Sequence, residues 1–282
     1  NNKNLKKYHF FKIDINQNQK KLIKIIKKFK PNYIINFTAQ GMVNESWNNP
    51  DHWYQTNVVS MVNLIQEIKQ LKFINLFLNF STPEVYGNIK NLKKEDNHFV
   101  PTTPYAISRA AFDLHLHNLY RFYKFPVIIT RTANVFGPYQ DLYRLIPKTI
   151  ISILKKKRVQ IHGKGETVRS FIFIEDVNNA LMKIIKQGKI GQTYHISTKE
   201  FISIRKICET IKKKMKIKND FQFTKDRTGK DFAYKLDSGK LNKGLKWKPK
   251  YNLNDSLDLT INWYYKNFKI LKNKKLSYEH KK

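Results

Sequence analysis

A chain of 282 residues, 41% of them hydrophobic, can bury a sizeable core and is not of disordered composition. Its 54 Lys+Arg against 21 Asp+Glu leave a formal net charge of +33, yet the lysines recur on helix faces, as in Lys20-Lys21-Leu22-Ile23-Lys24, without a basic stripe or a nucleic-acid-reading motif, so no nucleic-acid partner is expected. A single cysteine, Cys208, excludes an internal disulfide and a multi-cysteine metal site and fits a reducing, cytoplasmic setting, and no apolar run approaches the roughly 20 residues of a membrane span.

Short apolar runs alternate with longer amphipathic ones, the pattern of a parallel sheet flanked by helices. In chain order, strands are expected at Tyr8–Ile13, Tyr33–Phe37, Leu76–Phe80 and Val127–Arg131. Helices are expected between them over Lys20–Phe29, Val58–Leu71 and Tyr105–Tyr123, where apolar residues recur every three or four positions. After Arg131 the texture changes: turn residues cluster at Gly137-Pro138 and Gly163-Lys164-Gly165, and helices near Leu145–Leu154, Val177–Lys186 and Leu253–Phe268 alternate with short strands. This divides the chain into residues 1–141 and a smaller lobe over 142–282, of which about 170–195 packs back on the first sheet. Cys208 reads as a small buried residue on a helix over Ile204–Met215, and Trp247 as core packing. His115 and His117, two apart on one helix, point to different faces and form no metal pair.

The chemistry is concentrated in Asn79-Phe80-Ser81-Thr82-Pro83-Glu84-Val85-Tyr86-Gly87 and, eighteen residues later, Tyr105-Ala106-Ile107-Ser108-Arg109. A strand ending at Ser81 hands Thr82 and Glu84 to a loop at its carboxyl end, where open parallel sheets bind their ligands. A helix starting near Tyr105 stacks Arg109 one turn above the phenol. This order of hydroxyl, carboxylate and phenol resembles that of enzymes that oxidise a sugar and then eliminate water from it.

Ser-Thr-x-Glu-Val-Tyr-Gly followed by Tyr-x-x-x-Arg resembles the extended short-chain dehydrogenase/reductases, and within them the NAD-dependent nucleotide-sugar epimerases and dehydratases, most of all the dTDP-glucose 4,6-dehydratase type. The resemblance implies an α/β fold: a Rossmann-like doubly wound parallel sheet, here lacking its first β-α-β unit, with a smaller α/β substrate-binding lobe. It implies a lyase that converts a nucleotide-diphosphate sugar to its 4-keto-6-deoxy form with NAD, and a homodimer. By the same resemblance Thr82, Glu84, Tyr105 and Arg109 are the catalytic set, while Asp14, Ile15, Thr38, Ala39, Gln40 and Asn57, with Tyr105 and Arg109, hold the cofactor. Asn134, Arg169 and Arg227 match substrate-contacting positions, the two arginines near the diphosphate. Family members carry Thr-Asp-Glu and Tyr-x-x-x-Lys, so Pro83 and Arg109 depart from the pattern.

The earliest glycine is Gly41, so no glycine-rich pyrophosphate loop opens the sequence. By the resemblance the first strand corresponds to the family's third, and the chain is expected to be a piece of a longer protein; a natural variant that has dispensed with the cofactor is the alternative. Gly163-x-Gly165 does not replace the loop, because Val168 stands where its third glycine would be. Competing readings are an epimerase or decarboxylase on the same scaffold, or a catalytically impaired nucleotide-sugar-binding protein. Glu84 tilts against a 4-epimerase, which needs no base at C5.

Overall fold

The computed structural model describes residues 8–89, 91–217, 221–226, 229 and 231–280. Its first half runs α1 (Gln19–Phe29), β1 (Tyr33–Asn36), α2 (Pro50–Tyr54), a π-helical stretch over Gln55–Ser60, α3 (Met61–Ile68), β2 (Leu76–Ser81), α4 (Pro104–Tyr123) and β3 (Val127–Thr132). There follow β4 (Asn134–Phe136), α5 (Leu145–Leu154), β5 (Val159–His162), β6 (Val168–Arg169), β7 (Phe171–Phe173), α6 (Ile174–Gln187) and β8 (Thr193–Ile196). The remainder is β9 (Ile202–Ser203), α7 (Ile204–Lys214), β10 (Phe221–Thr224), α8 (Gly239–Leu245), α9 (Leu253–Lys266) and α10 (Phe268–Leu271).

β1, β2, β3 and β8 lie side by side in that order, all parallel. Side chains alternate along each strand, so the sheet has two apolar faces, both covered over β2, β3 and β8, while Tyr33 and Ile35 of the edge strand β1 are exposed. Phe77, Val127 and Ile129 pack with Ile23 and Ile26 of α1, Ile65 and Ile68 of α3, and Phe112 and Leu116 of α4. Leu76, Leu78 and Ile128 meet Val177, Leu181 and Ile184 of α6, and Leu241, Leu245 and Trp247 behind them. This is the doubly wound arrangement that the alternating pattern implies. Phe77 is fully buried between strands and helices, and truncating such a residue to alanine typically costs about 3–5 kcal/mol. A further core brings Ile150 and Ile153 of α5 together with Ile207 and Ile211 of α7 and Leu257 of α9. Cys208 is buried there, and burial pushes its thiol up to about 11, far from the thiolate that reactivity needs.

Two elements differ from expectation. Tyr8–Ile13 has no regular structure and pairs with no described strand; His9 and Phe11 instead lie against the ring of Phe29. An apolar run becomes a strand only when a neighbour takes up its N–H and C=O groups, and the outer edge of β1 bonds to no described strand. The helix expected from Val58 begins eight residues earlier, at Pro50, because wide winding over Gln55–Ser60 breaks the 3.6-residue period.

Candidate active site

The carboxyl end of β2 delivers the first group of side chains. Thr82, one residue past the strand, caps a short 3₁₀ turn over Pro83–Tyr86: its Oγ1 accepts the Glu84 N–H at 3.3 Å. Pro83 occupies the first position of that turn, where its fixed φ is an advantage and its missing N–H no loss. Gly87 ends the turn at φ 67°, and a Cβ there would stand 2.1 Å from the Val100 carbonyl oxygen, so only glycine fits.

α4 delivers the second group. Thr103 Oγ1 accepts the Ala106 N–H at 3.2 Å and Pro104 opens the helix, which sets Tyr105 in its first turn. Arg109 is buried one turn on; it donates to the Phe80 carbonyl at 2.5 Å and the Thr38 carbonyl at 3.4 Å. The loop after β1 is clamped from the π-helical stretch: Asn57 Oδ1 accepts the Gln40 N–H at 2.7 Å, while its Nδ2 donates to the Gln40 carbonyl at 3.0 Å and to Ser108 Oγ at 2.9 Å. Asn57 is thus a brace that couples the loop to α4, with no surface in either adjoining cavity.

Those cavities adjoin at Gln40. One, of about 680 Å³, brings together Thr82, Glu84, Tyr105, Arg109, Asn134, Ala39 and Gln40, residues drawn from three strand ends and α4. The other, of about 620 Å³, is lined by Asp14, Ile15, Thr38 and Gln40 with the aromatic residues of the 8–13 segment. Asp14 Oδ1 accepts the N–H groups of Asn16 (2.7 Å) and Gln17 (3.2 Å), which turns the chain into α1.

Tyr105 is held neutral. Burial raises its phenol above the usual value; the Arg109 charge and a hydrogen bond with Thr82 pull it back, and the Glu84 carboxylate pushes it further up. The cation alone therefore does not bring the phenol's pKa down toward neutral pH.

Arg169 is not brought to either cavity. Its guanidinium donates to the carbonyls of Val168 (2.8 Å), Asp231 (2.9 Å) and Phe232 (3.2 Å) and stacks on the Tyr234 ring at 4.0 Å, tying β6 to residues 231–234. Arg227 lies outside the described residues. Arg144 and Tyr278 are pocket residues that sequence reading passes over. Arg144, ahead of α5, is one cation among many, and Tyr278 reaches Gln40 (2.6 Å) across 238 positions, with no local signal.

The family model described as GDP-mannose 4,6 dehydratase matches residues 1–260. The chain belongs to the GDP-mannose 4,6-dehydratase family. Within it, the chain is 32% identical over 252 residues to a human dTDP-D-glucose 4,6-dehydratase, an alignment covering 86% of this chain and 71% of the relative. It is 28% identical to a dTDP-glucose 4,6-dehydratase of Salmonella typhimurium over 95% of this chain and 82% of that protein. Among solved structures, a dTDP-glucose 4,6-dehydratase from Streptomyces venezuelae, crystallised with NAD, superimposes with a TM-score of 0.86 at 28% identity, covering 92% of this chain and 80% of that one. The parallel α/β sheet is the Rossmann-like arrangement that this chain shares with that structure. No described helix is long and apolar enough to cross a membrane.

Proposed function

We propose that this chain carries the catalytic residues of a nucleotide-sugar 4,6-dehydratase, and the observation that supports it most is the meeting of Thr82, Glu84, Tyr105 and Arg109 in one cavity with Asn134 across from them. The residues present fit the two ends of NAD. Tyr105 and Arg109, beside the Thr38-Ala39-Gln40 loop, suit the nicotinamide and its ribose, and Asp14-Ile15 with the second cavity suit the adenosine. With no glycine before Gly41, this stretch does not offer the close backbone approach that the pyrophosphate needs. When bound, NAD would supply the hydride acceptor and donor.

Loss of water across C5 and C6 of a hexose is slow because the C5 proton is not acidic; a ketone at C4 makes it so. Tyr105 Oη would take the proton of the C4 hydroxyl as the phenolate, a form that Arg109 and the positive charge of a bound nicotinamide would favour against the burial that raises the phenol, and Thr82 hydrogen-bonds the same oxygen. The Glu84 carboxylate then removes the proton from C5, and the C5–C6 double bond forms as hydroxide leaves C6. Pro83 has no proton to give, so the acid that turns this hydroxide into water is Glu84 itself, protonated in the preceding step. Arg109 fixes positive charge near the phenol, which the permanent ionisation of a guanidinium guarantees.

Residues 1–141 form the cofactor half and 142–282 the substrate half, with 170–195 completing the sheet. A homodimer is supported by Ile107 and Leu114, seven apart on α4 and exposed, and by exposed Val59 on the π-helical stretch that packs against α4. The setting that fits a lone buried cysteine is the cytoplasm. The test is to supply NAD with a panel of nucleotide-diphospho-hexoses and follow product mass: a 4,6-dehydratase removes one water, an epimerase leaves the mass unchanged. Unaltered mass with inverted C4 would overturn the dehydratase reading.

A further inference from the structure

Beneath the candidate site runs a buried polar network that the proposed chemistry does not use. Asp113 lies four residues past Arg109 on α4 and is wholly buried. Its Oδ2 accepts from Ser81 Oγ at 2.8 Å and from Arg131 at 2.9 Å (Nη2) and 3.2 Å (Nε), while its Oδ1 accepts from Asn79 Nδ2 at 3.2 Å. Arg131, on β3, is buried as completely. Its Nη1 donates to Tyr86 Oη at 2.6 Å and to the Asp96 carbonyl at 3.2 Å, and its guanidinium plane covers the rings of Tyr86 and Phe99. On the other side, Asn79 Oδ1 accepts from Asn36 Nδ2 at 2.8 Å, and Asn36 Oδ1 accepts the Thr38 N–H at 3.1 Å.

One line of contacts therefore joins the loop after β1, the ends of β2 and β3, the 83–86 turn and α4. These are the elements that carry Thr38, Thr82, Glu84, Tyr105 and Arg109. Stability alone does not account for the pair at its centre: desolvating two charges offsets most of their attraction, and apolar residues of similar volume commonly do as well. What Asp113 does that leucine could not is accept hydrogen bonds from β2 and β3 at once, in one geometry, while anchored on α4.

We propose that the Asp113–Arg131 pair is a positioning device for the candidate catalytic residues. It fixes the register of α4 against the end of β2, so that the Tyr105 phenol, the Thr82 hydroxyl and the Glu84 carboxylate converge on adjacent substrate carbons. Ser81 and Tyr86 transmit this, since they flank Thr82 and Glu84 in the chain and are the network's contacts on that segment. The catalytic part of the inference rests on the dehydratase reading; the geometric part does not.

The experiment compares wild type with Arg131→Lys and with the double variant Asp113→Leu/Arg131→Met, which removes both charges together. Each is assayed for melting temperature, nucleotide-sugar affinity and kcat, and, with 3-fluorotyrosine at position 105, for the phenol titration by ¹⁹F NMR. A displaced near-attack geometry should lower kcat about 10- to 100-fold with nucleotide-sugar affinity kept within about threefold. The fluorophenol should titrate at higher pH, because the Thr82 hydrogen bond that lowers it is no longer held in place, whereas Arg109, on the same helix, moves with the phenol. An unmoved titration in folded Arg131→Lys would overturn the proposal, as would kcat, affinity and melting temperature declining together. If the double variant does not fold, Arg131→Lys decides. Should the wild type turn over no nucleotide sugar, the functional reading fails, and the fluorophenol titration still decides the positioning role.

Discussion

Arg109 stands one turn past Tyr105 on α4, yet its hydrogen bonds run to the carbonyl oxygens of Phe80 and Thr38, and it acts on the phenol through its charge. The cation is thereby anchored to two strand ends, at a distance from the phenol set by backbone. A lysine has one nitrogen where the guanidinium has a fork, so the departure from the family's Tyr-x-x-x-Lys gives up mobility and a transferable proton but keeps the charge.

Arg109→Met should therefore separate structure from chemistry. Methionine fills much of the volume and removes a buried charge, so the folding free energy should change by no more than about 2 kcal/mol, the lost carbonyl bonds and the relieved desolvation opposing each other. Oxidation at C4 should slow markedly, because the Tyr105 phenol loses the charge that pulls it down. Thermal melting and the pH dependence of the C4 step, measured on the same preparation, check this; a collapsed melting temperature with an unchanged pH profile would make Arg109 a structural residue only.

His195 gives a pH signature in stability. It is fully buried, with Nε2 2.9 Å from Tyr86 Oη, and burial, then the Arg131 charge, lowers its pKa from 6.5 to about 3. Between those values the unfolded chain binds a proton at this residue and the folded chain does not. Stability from this group is thus complete above about pH 6.5 and is lost as pH falls toward 3, by about 1.4 kcal/mol per pH unit at most. Urea unfolding across that range should show a shallower acid decline for His195→Gln than for wild type, and parallel curves would show that His195 is protonated in the fold.

Much of the scaffold can be read from periodicity. α5 runs from Leu145 to Leu154 as the spacing implies, and the strand cores around Phe77 and Ile128 follow from their apolar runs. Tyr8–Ile13 misleads because pairing, not composition, makes a strand. Thr82, Glu84, Tyr105 and Arg109 are legible because the two segments that carry them are local motifs on adjacent elements. Asp113 and Tyr278 are not: a lone aspartate in a helix reads as solvated until Arg131 and Ser81 are seen against it, and Tyr278 approaches Gln40 only through the tertiary fold.

Arg169→Ala should cost stability before it costs affinity. The carbonyls of Val168 and Asp231 and the face of Tyr234 lose this partner together, while the Phe232 carbonyl keeps the Val168 N–H, and a carbonyl left without a donor in a partly buried site typically costs about 1–3 kcal/mol. The expected outcome is a clear drop in melting temperature, with nucleotide-sugar affinity little changed when measured well below that transition. A large affinity loss at constant stability would restore this arginine to the diphosphate site.

Glu84 and Tyr105 are assigned successive steps, and a substrate already oxidised at C4 separates them. In a nucleotide 4-ketohexose the C5 proton is acidic, so its exchange with deuterated water needs the C5 base but neither hydride transfer nor the phenol. Tyr105→Phe should therefore keep C5 exchange on this compound while failing on the parent nucleotide-hexose. Glu84→Gln should fail on both, since a positioned general base is typically worth about 10²–10⁴-fold and an amide cannot replace it. Both side chains stand in the same cavity, and the Glu84 charge is felt at the phenol, which makes Tyr105 the rival candidate for the C5 base. Once Tyr105 has taken the C4 hydroxyl proton its phenol is neutral and has no further proton to accept, which leaves the C5 proton to Glu84. The readout is deuterium incorporation at C5 by NMR for wild type and the two variants. Normal exchange in Glu84→Gln would remove the carboxylate from the mechanism, and loss of exchange in Tyr105→Phe would show that one group performs both proton transfers.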